Sequence, residues 1–157
     1  MPMNTDKKNG CLLLIPNVLG KECDHTNVLP RSVDEAMATI DGLIAESPEK
    51  GRSFLKKFKL KQRPHNIPLA IFDKKTPDKD MDFLLEPIVA GERWALVSDS
   101  GAPCIADPGA KLVSRAKERG ITVEAFVGPS SVMQGLMLSG LPGQRFHFHG
   151  YLDREPS

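Results

Sequence analysis

The feature that most constrains the fold is the stretch 94–120, WALVSDSGAPCIADPGAKLVSRAKERG, where a short apolar run empties into a Gly/Pro-rich loop and the loop delivers a helix. Trp94, Ala95, Leu96 and Val97 are apolar without alternation, the pattern of a strand covered on both faces of a parallel sheet. Asp107 is placed to accept from the first free amides of the next helix. Pro108 suits the first helical position, and Gly120 the left-handed turn that ends it. The loop between them is longer than the roughly 2–6 residues that a βα connection needs. Ligands of open α/β sheets bind outside the carboxyl ends of the strands, so a ligand is expected at this loop.

Composition narrows the class. The 157 residues suffice for one domain with a full core, or for one domain and the beginning of another. With 21 basic and 20 acidic residues the net charge is +1, so whole-chain charge argues for neither nucleic acid nor an anionic membrane. No apolar span reaches the ~18 residues of a membrane helix, and the five-residue run after the polar start is too short for a signal peptide core. No membrane association and a cytoplasmic location are expected. Cys11, Cys23 and Cys104 are odd in number and lack paired spacing, which fits a reducing compartment.

In chain order, residues 1–10 read as polar and frayed. Cys11 to Ile15 (CLLLI) reads as a second doubly buried strand, and the turn PNVLG after it falls on the same sheet edge as the Ser98 loop. Neither GxGxxG nor GxxxxGK[ST] occurs, which disfavours a Rossmann NAD site and a P-loop. Ser32 followed by Glu35 forms a capping-box pattern. Val33, Ala36, Met37, Ile40, Leu43 and Ile44 recur behind it at helical spacing, which predicts a helix of three to four turns.

Residues 49–63 carry seven basic side chains and one acidic, interleaved with Phe54, Leu55, Phe58 and Leu60. That pattern fits a phosphate-binding segment or, preferably, a solvated face with aromatic anchors. Residues 67–72 read as a strand whose Pro68 points to an edge or a strand start, and 78–90 as a helix kinked or restarted at Pro87. A further strand at 121–127 leads to GPSS, where Ser130 suits an N-cap and Gly140 the end of the helix. The alternating RFHFHGY (145–151) predicts a last strand with His147 and His149 sharing one face. Cys23 and His25 form a C-x-H spacing with no second pair nearby, so no metal site is expected.

VSDSGAPCIADPGAKLV, GPSS and SGLPGQRFHFHGYL, in this order and spacing, resemble the tetrapyrrole methylase superfamily. Within it they are most similar to the branch of ribosomal RNA small-subunit cytidine 2′-O-methyltransferases and its short relatives. LIPNVLG resembles the first glycine-rich loop of that family, departing from it at Val18 and Lys21, and AESPEKGRSFLKKF stands where the ribosomal branch has a DTR-like motif.

The resemblance implies an α/β protein with an open, mostly parallel sheet flanked by helices. It implies an N-terminal cofactor domain over residues 1–141, with 142–157 opening a second α/β domain, so that the chain resembles the first part of a longer protein. S-adenosylmethionine is the implied cofactor. Its contacts would fall on Leu19 in the first loop, on Asp99, Gly101, Ala102 and Ile105 in the second, and on Ser130 and Ser131 in the third. Ala102 stands where the tetrapyrrole branch has Asp, so backbone groups would serve there.

The implied activity is methyl transfer, with a ribose 2′-hydroxyl of ribosomal RNA as acceptor. Transfer to a tetrapyrrole or other small molecule, or a non-catalytic nucleotide-binding or dimerisation module, are the alternatives. Methyl transfer from a sulfonium asks the protein mainly for positioning, and a hydroxyl acceptor is helped by a base within hydrogen-bond reach, for which Asp99 is a candidate by location. The strand at 145–151 would be left seeking an edge, and a homodimer is expected.

Overall fold

The structure is a computed structural model, which describes residues 9–152. Five strands form one sheet in the order β3-β2-β4-β1-β5: β1 (Cys11–Ile15), β2 (Gly42–Ala45), β3 (Leu69–Ile71), β4 (Arg93–Val97) and β5 (Thr122–Ala125). Every pairing is parallel, with Leu13 opposite Ala95 in the central pair, Ile44 opposite Leu96 and Leu12 opposite Val123. Four helices cross over between them, α1 (Arg31–Met37), α2 (Pro48–Leu55), α3 (Asp80–Val89) and α4 (Gly109–Glu118), and α5 (Ser131–Leu138) follows β5. The fold is therefore the open parallel α/β sheet that the apolar runs imply.

Unbroken apolar strands follow from burial on both faces. Leu13, Ile15, Leu43, Ala45, Ala95 and Val97 point into a core with Val33 and Met37 of α1 and with Phe54 and Leu55 of α2. Their alternate neighbours Leu12, Ile44, Trp94 and Leu96 point the other way, onto Leu85 and Ile88 of α3 and onto Leu112 and Ala116 of α4. Both layers are buried, so a polar side chain at these core positions would need a partner inside the core.

Local expectations hold at both ends of α4 and α5 and at the sheet edge. Asp107 caps α4 by accepting from the Gly109 amide at 2.7 Å, and Gly120 ends that helix at φ +71°. Ser130 caps α5, accepting from the Met133 amide at 3.4 Å, and Gly140 follows at φ +71°. Leu69–Ile71 is an edge strand that begins just after Pro68. Pro87 lies inside α3, which runs through it as one helix to Val89.

Three expectations are corrected. The helix begun at Arg31 ends at Met37, and residues 42–45, read as its continuation, form β2 between β3 and β4. Gly42 makes the change possible: a Cβ there would lie 2.3–2.5 Å from the Trp94 ring, so only a bare backbone fits under the indole. The capping box does not form either, because Pro30 occupies the N-cap and Glu35 pairs with Arg31 at 3.0 Å. Finally, residues 145–151 join no sheet. An alternating sequence becomes a strand only where an edge lies beside it, and here the segment folds back instead, with Tyr151 Oη 3.2 Å from Ser131 Oγ. His147 and His149 do lie together, their rings 5.9 Å apart. The expectation of fraying at 1–10 falls mostly outside the described residues.

Candidate functional site

Because β4, β1 and β5 are adjacent, the loops that leave their carboxyl ends meet, and backbone bonds lace them together. The Asn17 amide donates to the Gly101 carbonyl (2.9 Å), the Gly101 amide to Val18 (3.4 Å) and the Ala102 amide to Pro129 (2.9 Å). Asn17 adds a side-chain tie, its Nδ2 donating to the carbonyls of Ser98 (3.1 Å) and Asp99 (3.3 Å). Ser100 Oγ donates to the Leu19 carbonyl at 3.3 Å. Gly128 closes the contact on the far side: a Cβ there would lie 2.1 Å from Pro16 Cβ.

The loop after β4 is held in a demanding conformation. Gly101 lies at φ +68°, and two residues with side chains, Cys104 and Ala106, lie at +69° and +58°. Each non-glycine residue in that region costs on the order of 1–3 kcal/mol, so something must hold the turn. Asp107 does: besides the Gly109 amide, its carboxylate takes the Cys104 amide at 2.8 and 3.0 Å. Burial pushes the Asp107 carboxyl above its ordinary range, against the pull of those two amides. Burial, with the Asp107 charge beside it, also lifts the Cys104 thiol to about 12, so this cysteine is unreactive at neutral pH.

The same loop forms one wall of a cleft on its other side, where β4 neighbours β2 and β3 lies beyond it. The cleft has a volume of about 740 Å³, within the range of small-molecule sites. Its walls come from Glu46 after β2, from 72–76 after β3, from 98–100 and 105–108 after β4, and from Lys111 and Tyr151. The sequence-derived contacts therefore divide into two groups. Asp99 and Ile105 line the cleft, whereas Leu19, Gly101, Ala102, Ser130 and Ser131 do not line it. Leu19, Gly101 and Ala102 lie in the loop junction, and Ser130 and Ser131 begin α5 just beyond it. The amides of Gly101 and Ala102 are committed to neighbouring loops, so the expected backbone groups at Ala102 do not include its N–H.

Two residues of the site escaped the sequence reading in this role. Glu46, half-buried, accepts the Asp99 amide on Oε1 at 3.2 Å. Burial raises its carboxyl above the ordinary range, and the nearby Asp99 and Asp107 charges add to the effect. Lys50, from the first turn of α2, forms an ion pair with the Asp99 carboxylate, a hydrogen bond that raises the pKa of the amine. Ser47 and Pro48 start α2 directly after β2, with Ser47 Oγ accepting from the Lys50 amide at 3.4 Å, and this sharp start turns Lys50 toward the loop. Cys23 and His25 lie elsewhere: His25 packs its ring on Phe58 with centroids 4.8 Å apart and reaches Asp34 at 3.3 Å.

No family model matches the chain. Among individual proteins it is 31% identical to the ribosomal RNA small subunit methyltransferase I of Thermotoga maritima, over 92% of this chain and 61% of that one. It is 32% identical to the protein of the same name from Xylella fastidiosa, covering 94% and 51%, and 34% identical to that of Mycobacterium tuberculosis, covering 94% and 49%. The chain is a homologue of these methyltransferases. It spans about half the length of such relatives, or somewhat more. The similarity takes in nearly the whole of this chain.

Proposed function

We propose that this chain carries the cofactor-binding part of an S-adenosylmethionine-dependent methyltransferase, with a ribose 2′-hydroxyl of small-subunit ribosomal RNA as acceptor. The observation that carries the proposal is the cleft beside the 98–108 loop. It lies at the carboxyl edge of a parallel sheet, and carboxylates from Glu46, Asp99 and Asp107 surround it. A sulfonium cofactor is cationic, and in the cleft walls carboxylates outnumber the lysines Lys74, Lys75 and Lys111, a balance that favours a cation there. The apolar side chains of Phe72 and Ile105 in the same walls suit a nucleobase. The chemistry of these residues fits the group.

Once bound, S-adenosylmethionine supplies a methyl group on a positively charged sulfur. The chain's part is to bind and orient: Asp99 and Ile105 from the cleft wall, and Leu19, Gly101, Ala102, Ser130 and Ser131 through the junction and the start of α5 behind that wall. Residues 1–141 act as the cofactor domain, residues 142–157 lead into a second domain, and the protein works as a cytoplasmic homodimer. No described helix is long and apolar enough to cross a membrane.

The test is equilibrium titration of the chain with S-adenosylmethionine, S-adenosylhomocysteine, NAD and ATP, followed by a transfer assay on small-subunit ribosomal RNA with labelled methyl donor. Tighter binding of the two sulfur nucleosides, and label in the ribose, support the proposal. Binding of ATP with neither sulfur nucleoside bound overturns it.

A further inference from the structure

Three carboxylates stand at the ends of β2 and β4, and their hydrogen bonds distinguish them. The Asp107 carboxylate is occupied on both oxygens by the amides of Cys104 and Gly109. Asp99 is held by the Lys50 ammonium. Glu46 accepts a single amide, that of Asp99, on Oε1; among the described residues its Oε2 has no hydrogen-bond partner, and the residue lines the cleft. A base that must take a proton from a bound acceptor needs a free lone pair facing the cleft. Asp99, the candidate by location, has its carboxylate engaged by the Lys50 ammonium, which leaves it less free to meet an acceptor.

We infer that Glu46 is the group that receives the acceptor's proton, an assignment that rests on the methyltransferase reading above and extends it. As the acceptor hydroxyl oxygen bonds to the methyl carbon, the carbon–sulfur bond breaks, its electron pair stays on sulfur, and the hydroxyl proton passes to Glu46. Charge balances: the sulfonium loses its positive charge and the carboxylate its negative one. The Asp99 amide fixes the rotamer of Glu46 on the cofactor loop itself, so base and cofactor wall move together. The charged groups around Glu46 are Lys50 of α2, Asp99 and Asp107 of the β4 loop, and, elsewhere in the cleft walls, Asp73, Lys74, Lys75, Asp78 and Lys111. Burial holds the Glu46 carboxyl above its ordinary range, toward the pH at which a general base is most effective.

The experiment compares the chain with its Glu46→Gln and Glu46→Asp variants. Gln keeps an oxygen for the Asp99 amide and removes only the charge. Three readouts are taken: affinity for S-adenosylmethionine, single-turnover methyl transfer to a small-subunit ribosomal RNA as a function of pH, and the carboxyl 13C titration of Glu46. The expected result is an affinity for Gln within about twofold of the parent, transfer slower by about 10²–10⁴-fold with the acidic limb of the pH profile abolished, and partial recovery by Asp. The Glu46 carboxyl should titrate above the ~4.3 of a free glutamate.

Transfer by Gln at the parent rate with the parent pH profile overturns the assignment, as does loss of cofactor affinity in step with rate. A parent chain that binds S-adenosylmethionine without transferring leaves the titration to decide, and a Glu46 carboxyl titrating at or below ~4.3 then overturns it. A parent chain that binds no S-adenosylmethionine overturns the methyltransferase reading itself, a result told apart because it precedes any variant.

Discussion

Replacing Asp107 by Ala tests whether the cofactor loop is held from its own end. The side chain caps α4 through the Gly109 amide and ties the Cys104 amide back across the turn, where Cys104 and Ala106 sit in the left-handed region. Loss of an N-cap costs about 0.5–2 kcal/mol. The stranded, part-buried Cys104 amide adds about 1–3 kcal/mol unless water reaches it. Against this, the raised pKa of Asp107 means that its ionised form already strains against burial, and Ala relieves that cost. A net loss of about 2 kcal/mol is expected, or roughly 4–8 °C in Tm for a chain of this size. Urea unfolding at pH 7, with thermal melts alongside, measures it. The same variant should weaken binding of S-adenosylmethionine, since the released turn carries Ile105 in the cleft wall. A loss below about 0.5 kcal/mol together with unchanged binding would refute the view that this carboxylate holds the loop in its strained form.

Gly128→Ala should cost about 1–3 kcal/mol and weaken cofactor binding, because its Cβ would overlap Pro16 and part the first and third loops; Gly135→Ala in α5, with nothing within 4 Å, should be neutral or stabilising in the same unfolding assay. Glu46→Gln should raise stability at pH 7 and lose that advantage near pH 4. The folded-state carboxyl is shifted upward, so its favourable contribution is complete below the unfolded pKa and disappears as pH rises through the folded one, which urea unfolding at the two pH values reads directly. Replacing Lys56, Lys57 and Lys59 together by Gln should leave the log–log salt slope of RNA binding unchanged, because this segment is anchored by buried Phe54 and Phe58 away from the cleft; a slope flattened by about 0.7–0.9 per lost contact would place these lysines on phosphate.

The sheet was legible wherever burial on both faces left an unbroken apolar run. Residues 11–15 and 94–97 are such runs, and they form the central parallel pair. Helix starts and stops were legible where the chemistry is local: Asp107 and Ser130 at the caps, Gly120 and Gly140 at the ends. Residues 31–45 were misread because Val33, Met37, Ile40 and Ile44 keep a helical period across a helix, a turn and a strand. Four buried residues, Gly42–Ala45, are too few for periodicity to separate a strand from one more helical turn. The deciding fact is the Trp94 indole lying over Gly42, a contact 52 positions away in the chain. The alternation at 145–151 failed in the opposite way: the local pattern was right for a strand, but strand formation depends on a neighbour that local sequence does not supply.

The misreading of β2 also explains what the sequence left out of the site. A helix running through 44 and 45 places Glu46 on just another turn, whereas a strand ending at Ala45 places it at the carboxyl edge of the sheet, the position from which ligands are met. Lys50 was counted within a basic segment for the same reason: only the sharp Ser47–Pro48 start of α2, directly after the strand, turns it onto Asp99. The loop after β4 announced itself through Gly, Pro and Asp, residues whose backbone needs are visible one at a time. Glu46 and Lys50 carry no such signature, since a glutamate and a lysine are ordinary on any surface. What distinguishes them is the sheet order, which sets the end of β2 beside the end of β4 and joins the amide of Asp99 to one side chain and its carboxylate to the other. That joint makes the charge of Asp99 and the basicity of Glu46 a single arrangement. Removing Lys50 should therefore leave Asp99 with an unneutralised charge beside Glu46 and raise the Glu46 carboxyl further, a shift readable in the same 13C titration and opposite in sign to the effect of removing Asp99.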